Sequence, residues 1–339
     1  MNKKTSNSLV NAMLATECDL YNPSNVLLGE LYRVEANASL FSDAHFSQPL
    51  TQYSVGWAGA NPMVEQTLEF VAPAVQVPRK FSYRKAVNAE FYISETDDIR
   101  AEGADFGIVK YTTSIVNDKT YNKGLTIVED KDEVADEPGW EQERVNRLMK
   151  RLKLNDLRRA VTLLLAAATD SAQTWSTSFD PDNLLAARIT LGNQSLGSLG
   201  LNRILYGVTA WSKRNISLSG VATAGGFTRS VFTPAQLAAF LGVQEILVDN
   251  TVYISTGTTK ATVVDTTWGT TGIAVAFNAQ SGMSKDDPSN IKRFWTPCEN
   301  GTEYRVYREE HCKTVSITVE HYSKISIVST AGLQKVTVS

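Results

Sequence analysis

From Phe81 to Ile93 the odd positions Phe81, Tyr83, Val87, Ala89, Phe91 and Ile93 are apolar, and Ser82, Arg84, Asn88 and Glu90 lie between them. Period-two alternation over a dozen residues predicts a long strand with one buried face. A polar stretch, Glu95 to Asp105, follows it, and Phe106 to Val116 reads as a returning strand. The pattern predicts a long hairpin with a charged tip. A two-stranded ribbon is marginal in water because nothing covers its apolar side. We expect a neighbouring copy to support it, with the chain's own body as the alternative.

The second constraint is a helix. Glu129 to Gly139 is an acidic linker, and Pro138 suits a first turn. Glu141 and Glu143 complement the positive dipole end. Val145, Leu148, Leu152, Val161, Leu164, Leu165 and Ala168 then recur at helical spacing. Arg144, Arg147, Lys150, Arg151, Arg158 and Arg159 occupy the other faces. From Trp140 to Thr169 the helix would be about 45 Å long. Its second half is apolar almost all round and predicts burial on several sides.

A compact α/β stretch comes next. Asp180-Pro181 reads as an N-cap followed by proline at the first helical position. Asn202 to Val208 reads as a strand and Ala210 to Leu218 as a helix. Thr233-Pro234 starts a helix that Gly242 stops. Gln244 to Val248, Thr251 to Ser255 and Gly272 to Phe277 are strands, and Gly257 to Lys260 is a turn. The C-terminal part is β-rich, with Val315, Ile317 and Val319 alternating with polar residues. The first 66 residues carry scattered aromatics and predict an arm lying on another surface, with a short helix from Asn25 to Val34.

Length and composition bound the function. The chain has 339 residues, 42% of them apolar, and a formal net charge of -3. That excludes wholesale disorder and disfavours tight condensation of nucleic acid, which needs a basic face. Three cysteines, Cys18, Cys298 and Cys312, make no disulfide framework and predict reduced thiols. No run of about 18 apolar residues predicts a membrane span, and no signal peptide is visible. The three histidines, His45, His311 and His321, form no metal-binding spacing with the cysteines. GxSxG and P-loop motifs are missing. We therefore expect no catalytic, cofactor-binding or metal site. An α/β enzyme built on Asp180 to Phe277 would need a nucleophile, a base and an oxyanion donor that the sequence does not offer.

Four stretches in this order resemble the major capsid protein of tailed bacteriophages, whose fold is shared by herpesvirus shell floors and encapsulins. They are TLEFVAPAVQVPRKFSY from Thr67, SETDDIRAEGADF from Ser94, the linker and helix from Glu137 to Thr169, and FTPAQLAAFLGVQEILV from Phe232 with the closing strands TVSITVEHYSKISIV. The resemblance implies an α+β fold divided into an N-terminal arm (1–66), a lead-in strand of a peripheral domain (67–78) and an extended hairpin loop (79–128). A spine helix (129–178), an axial domain (179–290) and C-terminal peripheral strands (291–339) complete it. It implies a shell of hexamers and pentamers around double-stranded DNA, assembled in the host cytoplasm and carried in the virion. It further implies partnership with a scaffolding protein, a portal and a decoration protein. An encapsulin-like compartment is the alternative on the same fold. The loop tip, Glu95 to Asp105, has no lysine, so the lysine–asparagine cross-linking of some relatives is not expected. At the tip, Asp97, Asp98, Arg100, Glu102 and Asp105 form a charged group. We expect its acidic members to pair with Arg144, Arg147, Lys150 and Arg151 of an adjacent subunit.

Overall fold

The computed structural model describes residues 47–55, 62–85, 99, 114–177, 179–196, 200–220, 225–282, 289–298 and 301–339. The short helix expected at 25–34, most of the loop tip and the strand at 106–113 lie outside the described residues. The chain forms two compact units. The described part of the first comprises residues 47–55, Asn122–Leu152 and Pro297–Tyr322; the rest of the described chain belongs to the second. The long helix Trp140–Ala167 and the strand Thr314–Ile327 each contribute to both units.

In the first unit, Tyr304–Glu310 pairs antiparallel with Thr314–Ile327, from Tyr304 opposite His321 to Glu310 opposite Val315. The strand Tyr121–Asp130 also pairs with Thr314–Ile327. Val145, Leu148, Met149 and Leu152 of the long helix pack on Val306, Ile317 and Val319, the face that the helical spacing predicts. Each such side chain contributes about 1.5–3 kcal/mol by leaving water. A helix unread in the sequence, Gln48–Val55, lies along Tyr304–Glu310. The Ser47 N–H donates to the Val306 carbonyl (3.0 Å), and the Val306 N–H donates to Thr51 Oγ1 (3.1 Å). Both bonds cover a strand edge that would otherwise expose its backbone groups. Glu320 joins three strands, accepting from the Tyr307 hydroxyl at 3.0 Å and from Asn122 Nδ2 at 2.8 Å. Cys312 is disulfide-bonded, which departs from the expectation of three reduced thiols, while the Cys298 thiol donates to the Glu303 carbonyl at 3.8 Å.

The second unit is built on a five-stranded sheet. Its order is Thr169–Gln173, Gln334–Val338, Gly272–Phe277, Arg203–Gly207, Glu245–Asp249. The central strand Gly272–Phe277 is buried along its whole length. Successive side chains point to opposite faces, and this strand separates two cores. Ile273, Val275 and Phe277 join Val64, Leu68 and Val71 of the helix Pro62–Val71 and Leu157, Val161 and Leu164 of the long helix. Ala274 and Ala276 join Leu185 and Ile189 of the helix Pro181–Leu196, Ala210 of the helix Val208–Gly220 and Leu237 of the helix Pro234–Leu241. Helices therefore cover both faces, which suits an all-apolar middle strand.

Several local predictions hold. Thr233 and Gln236 form a reciprocal capping box, and Gly242 ends the helix at φ 71°. Val252–Thr256 and Thr259–Thr262 form a hairpin around Gly257. Two readings differ. Residues 67–71, expected as the start of a strand, are the last turns of a helix beginning at Pro62. Val64, Leu68 and Val71 sit at i, i+4 and i+7, and this helical period overrides the β-branched look of the stretch. The extended lead-in is only Ala74–Gln76, paired parallel with Ile291–Thr296. The second difference is a short helix, Gly226–Ser230, which starts at the last residue of the Gly/Ala-rich stretch Ser219–Gly226 that reads as a loop.

At the base of the predicted ribbon, Lys80–Lys85 pairs antiparallel with Ser114–Lys119. Phe81 and Tyr83 are buried and Ser82 and Arg84 exposed, as the alternation requires. The buried pair stacks on Phe294, with ring centroids at 4.6 and 5.3 Å. The chain's own body therefore supports this end of the ribbon, where the sequence reading expects a neighbouring copy.

Candidate assembly surfaces

The strongest electrostatic feature of the second unit lies beneath its surface. Asp180 caps the helix Pro181–Leu196, accepting the N–H groups of Asp182 (3.1 Å) and Asn183 (3.2 Å). Arg229 grips the same carboxylate through two bonds of 3.1 and 2.7 Å. Burial opposes ionisation of Asp180, but the Arg229 bonds and the backbone donors outweigh it and hold its pKa below the usual carboxylate range. Two residues on, Arg214 binds Asp182 through Nε at 2.7 Å and a terminal nitrogen at 2.8 Å. Both side chains are fully buried. Arg214 also donates to the Arg229 carbonyl (3.1 Å). Two bidentate pairs thus fasten three helices, and planar forks of this kind fix geometry as well as charge.

What the fastening holds is an apolar surface. Phe227 and Val231, on and just after the short helix Gly226–Ser230, are 71% and 68% exposed, and Phe240 is 51% exposed. The Arg229 guanidinium lies over the Phe240 ring at 5.8 Å, and Phe232 meets Phe240 edge-on at 6.3 Å. Exposed apolar groups clustered on a rigid mount mark a site of interaction.

The basic residues singled out in the sequence fall on the first-unit part of the long helix. Arg144, Arg147 and Arg151 recur at i, i+3 and i+7, so they share one side, away from Val145, Leu148 and Leu152. Arg144, at the boundary of the two faces, is buried. It donates to Glu129, Glu137 and Glu143 at 2.5, 3.2 and 3.4 Å. Burial works against its charge, but these carboxylates prevail and raise its pKa above the ordinary value. Arg147 makes an exposed i,i+4 pair with Glu143 at 2.5 Å. Lys150 and Arg151 are exposed. Asp97, Asp98, Arg100, Glu102 and Asp105 lie outside the described residues. Among the described residues no cluster of His, Cys, Asp and Glu has the arrangement of a metal site, and no helix is long and apolar enough to cross a membrane.

No sequence-family profile matches the chain, and no curated protein matches it either. Solved structures do. A crystal structure of a phage-related protein from Bordetella bronchiseptica RB50 is 15% identical, covers 86% of this chain and 96% of its own, and superposes with a TM-score of 0.61. A structure from Gordonia phage Cozz is 9% identical, covers 80% of this chain and 86% of its own, and gives 0.52. The chain has the phage major-capsid fold. The sequence pointed to the long helix through its spacing. It gave no sign of the Asp182–Arg214 pair, whose members lie on different helices with no motif to connect them.

Proposed function

We propose that this chain is a major capsid protein, with a structural rather than catalytic role, that assembles into the hexamers and pentamers of an icosahedral shell around double-stranded DNA. The fold carries this reading, and the fastened apolar surface at Phe227, Val231 and Phe240 supports it. Many weak contacts repeated by symmetry sum to a stable closed assembly. The partners of such a protein are further copies of itself, a scaffolding protein, a portal and a decoration protein, and its location is the virion after assembly in the host cytoplasm. Negative-stain microscopy of the purified protein, alone and with the phage's other structural proteins, should show closed particles. A monomer that stays monomeric at high concentration under all these conditions would overturn the proposal. Particles loaded with protein cargo instead of nucleic acid would favour an encapsulin-like compartment.

For the loop tip, the proposal is that Asp97, Asp98, Glu102 and Asp105 dock on the basic side of a neighbour's long helix. Arg147, Lys150 and Arg151 present the exposed charge there, while Arg144 is held by its own chain. Arg147 can exchange its partner readily, because an exposed i,i+4 pair is worth only about 0.3–0.5 kcal/mol. Asp97→Lys with Asp98→Lys should reduce the yield of particles, and most at low salt, where exposed charges are least screened. Normal particle yield from the double variant at every salt concentration would refute the docking.

A further inference from the structure

Asp249, the last residue of the strand Glu245–Asp249, is 3% exposed. Its Oδ1 accepts from the Thr251 hydroxyl at 2.6 Å and from the Thr67 hydroxyl at 3.1 Å. Thr67 belongs to the helix Pro62–Val71, so this bond ties that helix to the edge strand of the sheet. The other oxygen, Oδ2, is buried with no hydrogen-bond partner. Asp249 stands in register with Gly207 on the adjacent strand, and directly over Gly207 lies a second carboxyl, Asp265, which is 4% exposed.

Among the described residues no cation forms an ion pair with either acid. Glu65 of the helix Pro62–Val71 pairs with Lys153, and Glu69 accepts the Ala74 N–H. Arg203, at the far end of its strand, donates to the Phe70 carbonyl, and Tyr206 is sealed beside Trp211. On the helix Val208–Gly220, Lys213 donates to the Thr270 carbonyl and Arg214 is committed to Asp182. The helix Pro234–Leu241 has no charged residue. Arg158 lies over the Tyr253 ring just beyond the strand. Burial raises the Asp249 pKa, the hydroxyls of Thr251 and Thr67 and the Thr251 N–H lower it, and the Asp265 charge raises it again; the balance is upward.

We propose that Asp249 is a proton-operated latch that holds the helix Pro62–Val71 on the sheet when its carboxyl is neutral and releases it when the carboxyl ionises. The folded state binds this proton more tightly than the unfolded chain does. The stability it confers is therefore complete below the ordinary aspartate range and is lost as pH rises through the higher folded value. An ionised carboxylate with an unpartnered oxygen and an acidic neighbour cannot stay dry. Opening toward solvent lifts the helix, because it is the element that lies on the sheet's edge strand; the Thr67 bond favours the ionised form and only partly opposes this release. Since Pro62–Val71 leads into Ala74–Gln76 and the ribbon at Lys80–Lys85, its release alters the anchoring of the segment that the ribbon grows from.

Amide hydrogen exchange of the full chain, read on the peptide spanning 62–71 and corrected for intrinsic rates, tests this. From about pH 3 to pH 7 the wild type should lose protection, by about tenfold for each unit by which folding raises the carboxyl's pKa. Asp249→Asn, which cannot ionise, should show no such loss. If that variant does not fold, Thr67→Val carries the test: without the bond that favours the ionised form, the loss of protection with rising pH should be larger than in the wild type. The latch is wrong if either folded variant keeps the wild-type pH response, or if the wild type shows none.

Discussion

Asp182→Ala should destabilise the second unit by about 3–5 kcal/mol, because it strands a buried charge. Arg214 is fully buried, and among the described residues its only carboxylate partner is Asp182, held through two bonds. The acceptors that remain after the change are the Arg229 carbonyl and Asn215 Oδ1, both at 3.1 Å. Both are neutral and engage single N–H groups, so the charge has no counter-ion. Arginine does not escape by losing its proton. Asp182→Leu combined with Arg214→Met should recover most of the loss, since well-packed apolar groups of similar volume commonly replace a buried pair at little cost. The coupling is then read from a double-mutant cycle on urea midpoints. A loss below about 1 kcal/mol for Asp182→Ala would mean that water reaches Arg214. The double variant separates stability from assembly. It restores the fold but removes the Arg214 bond to the Arg229 carbonyl, one of the bonds that mount Gly226–Ser230, so particles should form less readily even where the midpoint recovers.

What the sequence discloses and what it withholds divide along a physical line. Features encoded within one turn or one strand are legible. Thr233 with Gln236 and Gly242 bound their helix, the apolar run Gly272–Phe277 is a strand buried on both faces, and Val145, Leu148 and Leu152 mark the inner side of the long helix. Features set by distant partners are not. The alternation at Phe81 and Tyr83 tells which side of the ribbon is covered, but the cover is Phe294, far along the chain. Arg144 reads as one of a basic row, yet Glu129 and Glu137 fold back to enclose it. Asp182 reads as an ordinary first-turn acid and is the most buried charge of its helix. The helix at Gly226 is hidden by a residue type: Gly225, in the left-handed region at φ 99°, looks like loop and serves as the turn that starts it. The fold was therefore readable in outline. Of the candidate surfaces, only the basic side of the long helix was, because a surface depends on what the rest of the chain leaves uncovered.

Gly207→Ala should cost about 3–6 kcal/mol, from overpacking together with lost buried hydrogen bonds. The reason is space rather than backbone conformation. A Cβ at this position would lie 1.8 Å from Asp265 Oδ1 and 2.3 Å from its Cγ. An exposed carboxylate could swing aside, but this one is held at both ends. Oδ2 accepts the Thr209 N–H at 2.8 Å and Oδ1 the Ile273 N–H at 3.0 Å. Moving it orphans two buried backbone donors in the heart of the sheet. Leaving it forces the strand Arg203–Gly207 away from Gly272–Phe277, with which it is paired. Gly139→Ala is the control: φ is 77° and a Cβ there meets nothing within 4 Å, so only the left-handed backbone penalty of about 1–2 kcal/mol applies. Denaturant midpoints of the two variants should differ in that order. Equal losses would show that Asp265 is free to move, and that the close approach at Gly207 does not fix the geometry of the paired acids.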